Sequence, residues 1–316
     1  MSRTQKPISK KMRVLITGIS GFVGTHLAQH LSQQGELVVG FDKAPPKNRD
    51  IHSYEGDIAN LTEIKHALND FEPQIVFHLA GILKASQPEA FHQVNVLGTN
   101  MLMDAVRERN KKPIVLLASS SAIYGRGYGG RPITERFRPR PETPYATSKL
   151  EAEKLARSYF KSDGVPIVIA RAFNLLGPGQ PPTLACSAFA RQIALVEKSG
   201  ASDTIVTGNL SARRDYTDVR DVVRAYVQLA QRGRPGSVYN ICSGQAVATR
   251  ECLDILVQMA GVPLRVIVDP DRLQATDIPI QVGSAERLHR LTGWQPRISL
   301  RQSLANLLAY WRDEVA

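Results

Sequence analysis

Through the first half of the chain, short apolar runs alternate with stretches whose apolar residues recur every three or four positions. The first run, MRVLIT at 12–17, ends in Gly18-x-x-Gly21-x-x-Gly24, and helical spacing then continues through Leu31 to a stop at Gly35. ELVVGFD follows as a second strand that closes at Asp42. QIVFHLAG (74–81), PIVLLASSS (113–121) and PIVIARAFN (166–174) read as further buried strands, with helical patterns between them at 94–109 and 145–159. Repeated strand–helix units of this kind predict the α/β class with a doubly wound parallel sheet. Beyond Gly177-Pro178-Gly179 the pieces shorten, with helical patterns near 184–198, 219–231, 249–260 and 303–312.

The first strand–glycine–helix–strand unit also carries chemistry. Small residues at such a turn let the backbone approach a pyrophosphate at a helix N-terminus, and an acid ending the second strand accepts from ribose hydroxyls. A lone glycine triplet is weak evidence. Set between these two strands, with Asp42 24 residues after Gly18, it predicts a dinucleotide site. Gly18, Ser20, Gly21, Phe22, Val23 and Gly24 are its candidate cradle. Asp42 should repel a 2′-phosphate and favour NADH, while Lys43 and Lys47 nearby leave NADPH use open. The expected organisation is a flexible tail over 1–11, a dinucleotide-binding domain over 12–175, and a smaller substrate-binding lobe over 176–316, partly interleaved with the main sheet.

Composition narrows the picture. With 316 residues, 43% of them hydrophobic, the chain can bury a substantial core, and no apolar run approaches the length of a membrane helix. The N-terminal MSRTQKPISKKMR lacks the apolar segment of a secretory signal. Cys186, Cys242 and Cys252 have no metal spacing, so reduced thiols and a cytoplasmic location are expected. The net charge of +11 invites a nucleic-acid reading. However, Arg3, Lys6, Lys10 and Lys11 lie in the tail, and Arg126, Arg131, Arg136, Arg138 and Arg140 lie in one loop, with no accompanying nucleic-acid motif. A basic balance equally suits an anionic small substrate.

Tyr145 and Lys149 stand in PETPYATSKLEAEKLA, where Pro144 suits a helix start. A spacing of four places phenol and ammonium on one face, one turn apart. A nearby cation favours phenolate, which would make Tyr145 a usable proton donor or acceptor near neutral pH.

Taken together, Gly18/Gly21/Gly24, Asp57-Ile58, HLAG at 78–81, Asn95, ASSSAIYG at 118–125, Tyr145/Lys149 and RAFN at 171–174 resemble the extended short-chain dehydrogenases/reductases that act on nucleotide sugars. The resemblance spans roughly residues 12–312. FNLLGPGQ, GNLSARRDYTDVRDVVRAY, VYNICSG, DRLQATDIP and TGWQPRISL are most similar to the group that reduces GDP-4-keto-6-deoxy-D-mannose to GDP-D-rhamnose.

That resemblance implies a homodimer and a triad of Ser120, Tyr145 and Lys149, with Ser119 and Ser121 as rival hydroxyls. Lys149 would bind the nicotinamide ribose and lower the Tyr145 pKa. Asn95 would fix local backbone and water, or would simply be a satisfied helix Asn. Asp57 would contact adenine, with Ile58, Leu79, Ala80 and Gly81 also lining the cofactor site. Asn174 and Arg214 would hold the substrate's sugar and diphosphate. The position of a second phosphate arginine is Gln274, so either Arg272 replaces it or that contact is lost.

Related 4,6-dehydratases place acid in the two positions after the triad serine. Here these are Ser121 and Ala122, which supply neither the acid nor the base that water elimination needs. The expectation is therefore a nucleotide-sugar 4-ketoreductase. A 4-epimerase with tightly held NAD is the runner-up, and a non-catalytic dinucleotide sensor is disfavoured by the intact Tyr/Lys pair.

Overall fold

The computed structural model describes residues 11–200, 203–272 and 278–316. The expected tail, apart from Lys11, and Gln274 lie outside the described residues. In chain order the first strands are β1 (Arg13–Thr17), β2 (Leu37–Asp42), β3 (Ser53–Glu55), β4 (Ile75–His78), β5 (Ile114–Ser120) and β6 (Ile167–Ala172). They continue as β7 (Asn174–Leu176), β8 (Thr204–Thr207), β9 (Arg213–Asp218), β10 (Val238–Ile241), β11 (Ala246–Ala248), β12 (Arg265–Val268) and β13 (Ile280–Gln281).

Seven of these form one parallel sheet in the order β10-β6-β5-β4-β1-β2-β3. The order in which strands are added reverses between β1 and β4, which opens a crevice at their C-terminal ends. Both faces are covered, so the strands read as unbroken apolar runs rather than alternating ones. Val14 and Ile16 pack with Leu27, Val222 and Tyr226 on one side, while Leu15, Val76 and Leu117 pack with Leu102, Met103 and Val106 on the other. A third core, including Phe189, Ile193, Leu253, Leu256 and Leu304, holds together helices Ala185–Ser199, Thr249–Gln258 and Leu300–Val315.

The Tyr145 helix runs from Pro144 to Asp163, longer than its apolar pattern suggests. Thr143 caps it by accepting the Ala146 N–H at 3.1 Å, Pro144 occupies the first turn, and Gly164 ends it at φ +65°. Two expected elements are divided. The apolar run 166–174 breaks at Phe173, after which β7 leaves the main sheet to pair with β9. Burial of every residue in β6 hides that junction from the pattern. The 94–109 helix is also compound: Glu89–Phe91 leads into a π-helical turn, His92–Leu97, before Gly98–Arg107. Helix Leu61–Phe71, capped by Asn60, and helix Glu286–Thr292 add to the elements expected.

No helix among the described residues is long and apolar enough to cross a membrane. For the homodimer that the resemblance implies, Leu97, Met101, Leu102, Leu150 and Leu155 could supply the apolar contact; of these, Leu102 is buried in the core of its own chain, whereas the other four are half-buried.

Candidate active site

The glycine turn is built by close approach. Gly18 takes φ +76°, and a Cβ there would stand 2.7 Å from the Ala80 nitrogen. A Cβ on Gly24 would stand 2.2 Å from the Gly18 carbonyl oxygen. Gly21 is the N-cap of helix Phe22–Gln33 with no side-chain cap, so the first-turn amides of Phe22 and Val23 can serve an anion. Asp42 ends β2 facing this turn. Its carboxylate accepts the Ser20 N–H at 3.0 Å and the Lys43 N–H at 2.8 Å. A cradle that an added Cβ at Gly18 or Gly24 would fill, an uncapped helix start and an acid at the strand end fit a dinucleotide.

Beyond β3, Asp57 accepts the Ala59 N–H at 3.0 Å and pairs with Lys43 Nζ at 2.8 Å. These two contacts hold its carboxyl below the usual range. Ile58 is buried against Gly98. On the other side of the crevice, Leu79 N–H donates to the Thr17 carbonyl at 3.1 Å and Ala80 N–H to Thr17 Oγ1 at 3.2 Å. Asn95 Oδ1 accepts the Ile82 N–H at 2.9 Å, and its Nδ2 donates to Ser148 Oγ at 2.9 Å. Asn95, inside the π-helical turn, thus ties the Gly81–Ile82 segment to the Tyr145 helix.

Ser120 ends β5; its Oγ accepts the Ala122 N–H at 3.2 Å, and it is the polar group near enough to the Tyr145 phenol to oppose the effect of burial on it. Neither rival serine faces the phenol. Ser119 Oγ donates to Glu153 Oε1 at 2.5 Å, and Ser121 Oγ donates to Gln281 Oε1 at 3.1 Å. Lys149 Nζ donates to the Ala118 carbonyl at 2.9 Å. The expected effect of Lys149 on Tyr145 needs correction. Burial pushes the Tyr145 phenol above its ordinary pKa, with only Ser120 opposing it, while burial brings Lys149 down to about 8. Desolvation outweighs the four-residue spacing because it penalises both charged forms.

The substrate candidates lie in two places. Asn174, on β7, donates to the Asp215 carbonyl at 3.2 Å, and Arg214 stands on adjacent β9 with its Nη1 near the Ile278 carbonyl at 2.5 Å. Arg272 sits instead beside the β8–β12 pair, bonded to Asp269 at 3.2 Å and to the Val206 carbonyl at 3.2 Å.

Three buried polar residues near the site escape local sequence reading. His78, inside HLAG, bridges Thr17 Oγ1 at 2.8 Å and Thr99 Oγ1 at 3.0 Å. Thr99 Oγ1 already donates to the Asn95 carbonyl, so His78 must present Nε2–H to it and accept at Nδ1. Burial drives this imidazole down to about 3, keeping it neutral. Glu153 and Arg171 form the other pair, with Nε–Oε1 2.9 Å and Nη2–Oε2 2.6 Å. Arg171 opens the RAFN motif and Glu153 stands one further turn along the Tyr145/Lys149 face, but neither position signals that the two pair.

A family model described as GDP-mannose 4,6 dehydratase matches residues 15–307. The chain is 36% identical over 313 residues to GDP-6-deoxy-D-mannose reductase of Pseudomonas aeruginosa, covering 96% of this chain and 98% of that protein. Among solved structures, RMD from Pseudomonas aeruginosa complexed with NADPH superposes with a TM-score of 0.84 at 34% identity, covering 96% of this chain and 100% of that one. The UDP-glucose 4-epimerase of Thermus thermophilus, solved in complex with NAD, gives a TM-score of 0.85 at 28% identity, over 95% and 99% of the two chains.

Proposed function

The chain belongs to the family that the GDP-mannose 4,6 dehydratase model describes, and from that premise we propose that it reduces the C4 ketone of a nucleotide-activated 4-keto-6-deoxyhexose, with GDP-4-keto-6-deoxy-D-mannose as substrate and GDP-D-rhamnose as product. The observation that carries this reading is the pair of positions after Ser120. Ser121 is buried against Gln281 and Ala122 has no functional group, so neither position offers an acid beside the Ser120–Tyr145 pair to drive dehydration. The reductase of Pseudomonas aeruginosa, similar over nearly its whole length, points the same way.

In this reading Ser120 orients the ketone oxygen and Tyr145 protonates it. The bound reduced dinucleotide supplies the hydride. Lys149 holds the nicotinamide ribose, and the raised phenol pKa keeps Tyr145 in the protonated form that a reduction requires. Gly18 to Gly24 accept the pyrophosphate. Asp42 keeps acceptor capacity for a ribose diol, so NADH is the proposed cofactor, although the reductase neighbour was solved with NADPH.

One panel tests substrate and cofactor together: GDP-, dTDP- and UDP-linked 4-keto-6-deoxy sugars, each with NADH and with NADPH. The GDP-linked ketone with NADH should give the highest kcat/KM. Preference for a dTDP-linked ketone would overturn the GDP assignment. A kcat/KM for NADPH more than about tenfold above that for NADH would overturn the role of Asp42.

The half-buried Leu97, Met101, Leu150 and Leu155 also support a homodimer. Light scattering at micromolar concentration should return twice the chain mass, and a monomer there would refute the assembly.

A further inference from the structure

We propose that Glu153 is a positioning residue for the Tyr145–Lys149 face, a role resting on the catalytic reading above: its carboxylate clamps that helix to the end of β5 and supplies the negative charge that Lys149 faces in the seam.

The geometry comes from two adjacent strands. Ser119 on β5 and Arg171 on β6 are register partners, and Glu153 lies over both. One carboxylate oxygen takes the Ser119 hydroxyl at 2.5 Å and Arg171 Nε at 2.9 Å, and the other takes Arg171 Nη2 at 2.6 Å. The Arg171 fork also donates to the Tyr124 hydroxyl at 2.8 Å, which in turn donates to Asn240 Oδ1 on β10 at 2.8 Å. The side chains of Glu153 and Arg171 are only 2% and 5% exposed, so their attraction is little screened by water. Ser119 is one residue from Ser120, and Lys149 grips the carbonyl of Ala118 on the same strand end. The ties at Ala118 and Ser119, both just before Ser120 in sequence, therefore set how far Ser120 stands from Tyr145.

The charge argument is separate. Around Lys149 the structure places Tyr145 and Glu153 on its own helix, neutral His78 on β4, the Asn95 amide beside Gly81, and Arg171 on β6, neutralised by Glu153. Tyr226 faces Tyr145 from helix Val219–Arg232. Burial lowers the Lys149 pKa, and Glu153 is the group that opposes it. Removing the carboxylate charge should lower it further, so Lys149 would lose its proton at a lower pH and the alkaline limb of kcat would move in the same direction.

The test reads Lys149 directly. In protein carrying ε-¹³C lysine, its resonance, assigned with Lys149→Arg, is followed against pH without substrate or cofactor. Glu153→Gln should move the titration midpoint down by about one pH unit, as loss of an adjacent opposite charge does. Glu153→Asp should restore much of the shift. Ser119→Ala, which removes a tie but no charge, should leave the midpoint in place while lowering kcat more than it raises KM. Because Glu153→Gln leaves Arg171 buried without its partner, the double variant Glu153→Gln/Arg171→Met repeats the reading in a neutral seam, where loss of the guanidinium charge offsets part of the effect and a smaller downward shift is expected. An unmoved midpoint in both variants would overturn the electrostatic role, and an unchanged kcat in Ser119→Ala would overturn the clamp. The titration needs no substrate, so a failed ketone assay beside a shifted midpoint would refute the proposed reaction and leave the charge role of Glu153 standing.

Discussion

Tyr145→Phe should lower kcat by about 10²–10⁴-fold, the range expected when a general acid is removed, while dinucleotide affinity stays near that of the unaltered protein. The variant keeps the ring and its edge-on contact with Phe91, whose centroid lies 6.2 Å away. It removes the hydroxyl that both meets Ser120 and can give a proton to a ketone oxygen. Ser120→Ala should have a smaller effect of the same kind, since it loses orientation rather than the proton. A steady-state assay with a parallel fluorescence titration of cofactor separates chemistry from binding. Near-normal turnover by Tyr145→Phe would remove the basis for the catalytic reading.

The second large effect is expected at Gly24. An alanine Cβ there would lie 2.2 Å from the Gly18 oxygen and 2.7 Å from Ile19 Cα, both backbone atoms that cannot swing aside. Helix Phe22–Gln33 would have to lift away from the turn, and overpacking of this kind costs about 1–3 kcal/mol or more. Gly24→Ala should therefore melt well below the unaltered protein and bind dinucleotide poorly. Gly21→Ala meets only the Gly18 oxygen, at 3.3 Å, and should fold almost normally. Thermal melts of both, with cofactor titration, check the contrast. Equal melting and equal affinity for Gly24→Ala would show that close packing at the turn is not what shapes the site.

These two sites were legible because their information is local. The glycine spacing and the buried strands flanking it lie close together in the chain, and a four-residue spacing fixes the helix face shared by Tyr145 and Lys149. What the spacing does not carry is burial, and burial decides how the phenol titrates; the expected depression of Tyr145 therefore became an elevation. Asn95 was identified from sequence, but its partners, Ile82 and Ser148, are distant in the chain. No local pattern singles out Glu153; only the packing of its helix on β6 sets it against Arg171. Arg272 matched by proximity to Gln274 in sequence, yet it lies in a short turn beside the β8–β12 pair, away from the sheet that holds Arg214. Tertiary contacts of this kind leave no local period in the sequence.

The central claim is reduction without dehydration or epimerisation, and reaction stoichiometry tests it most directly. GDP-4-keto-6-deoxy-D-mannose incubated with NADH should be consumed one for one with cofactor, read from the loss of reduced-cofactor absorbance and from product NMR, while GDP-mannose should remain intact. Interconversion of 4-hydroxy sugars with no change in that absorbance, or formation of the ketone from GDP-mannose, would contradict the account.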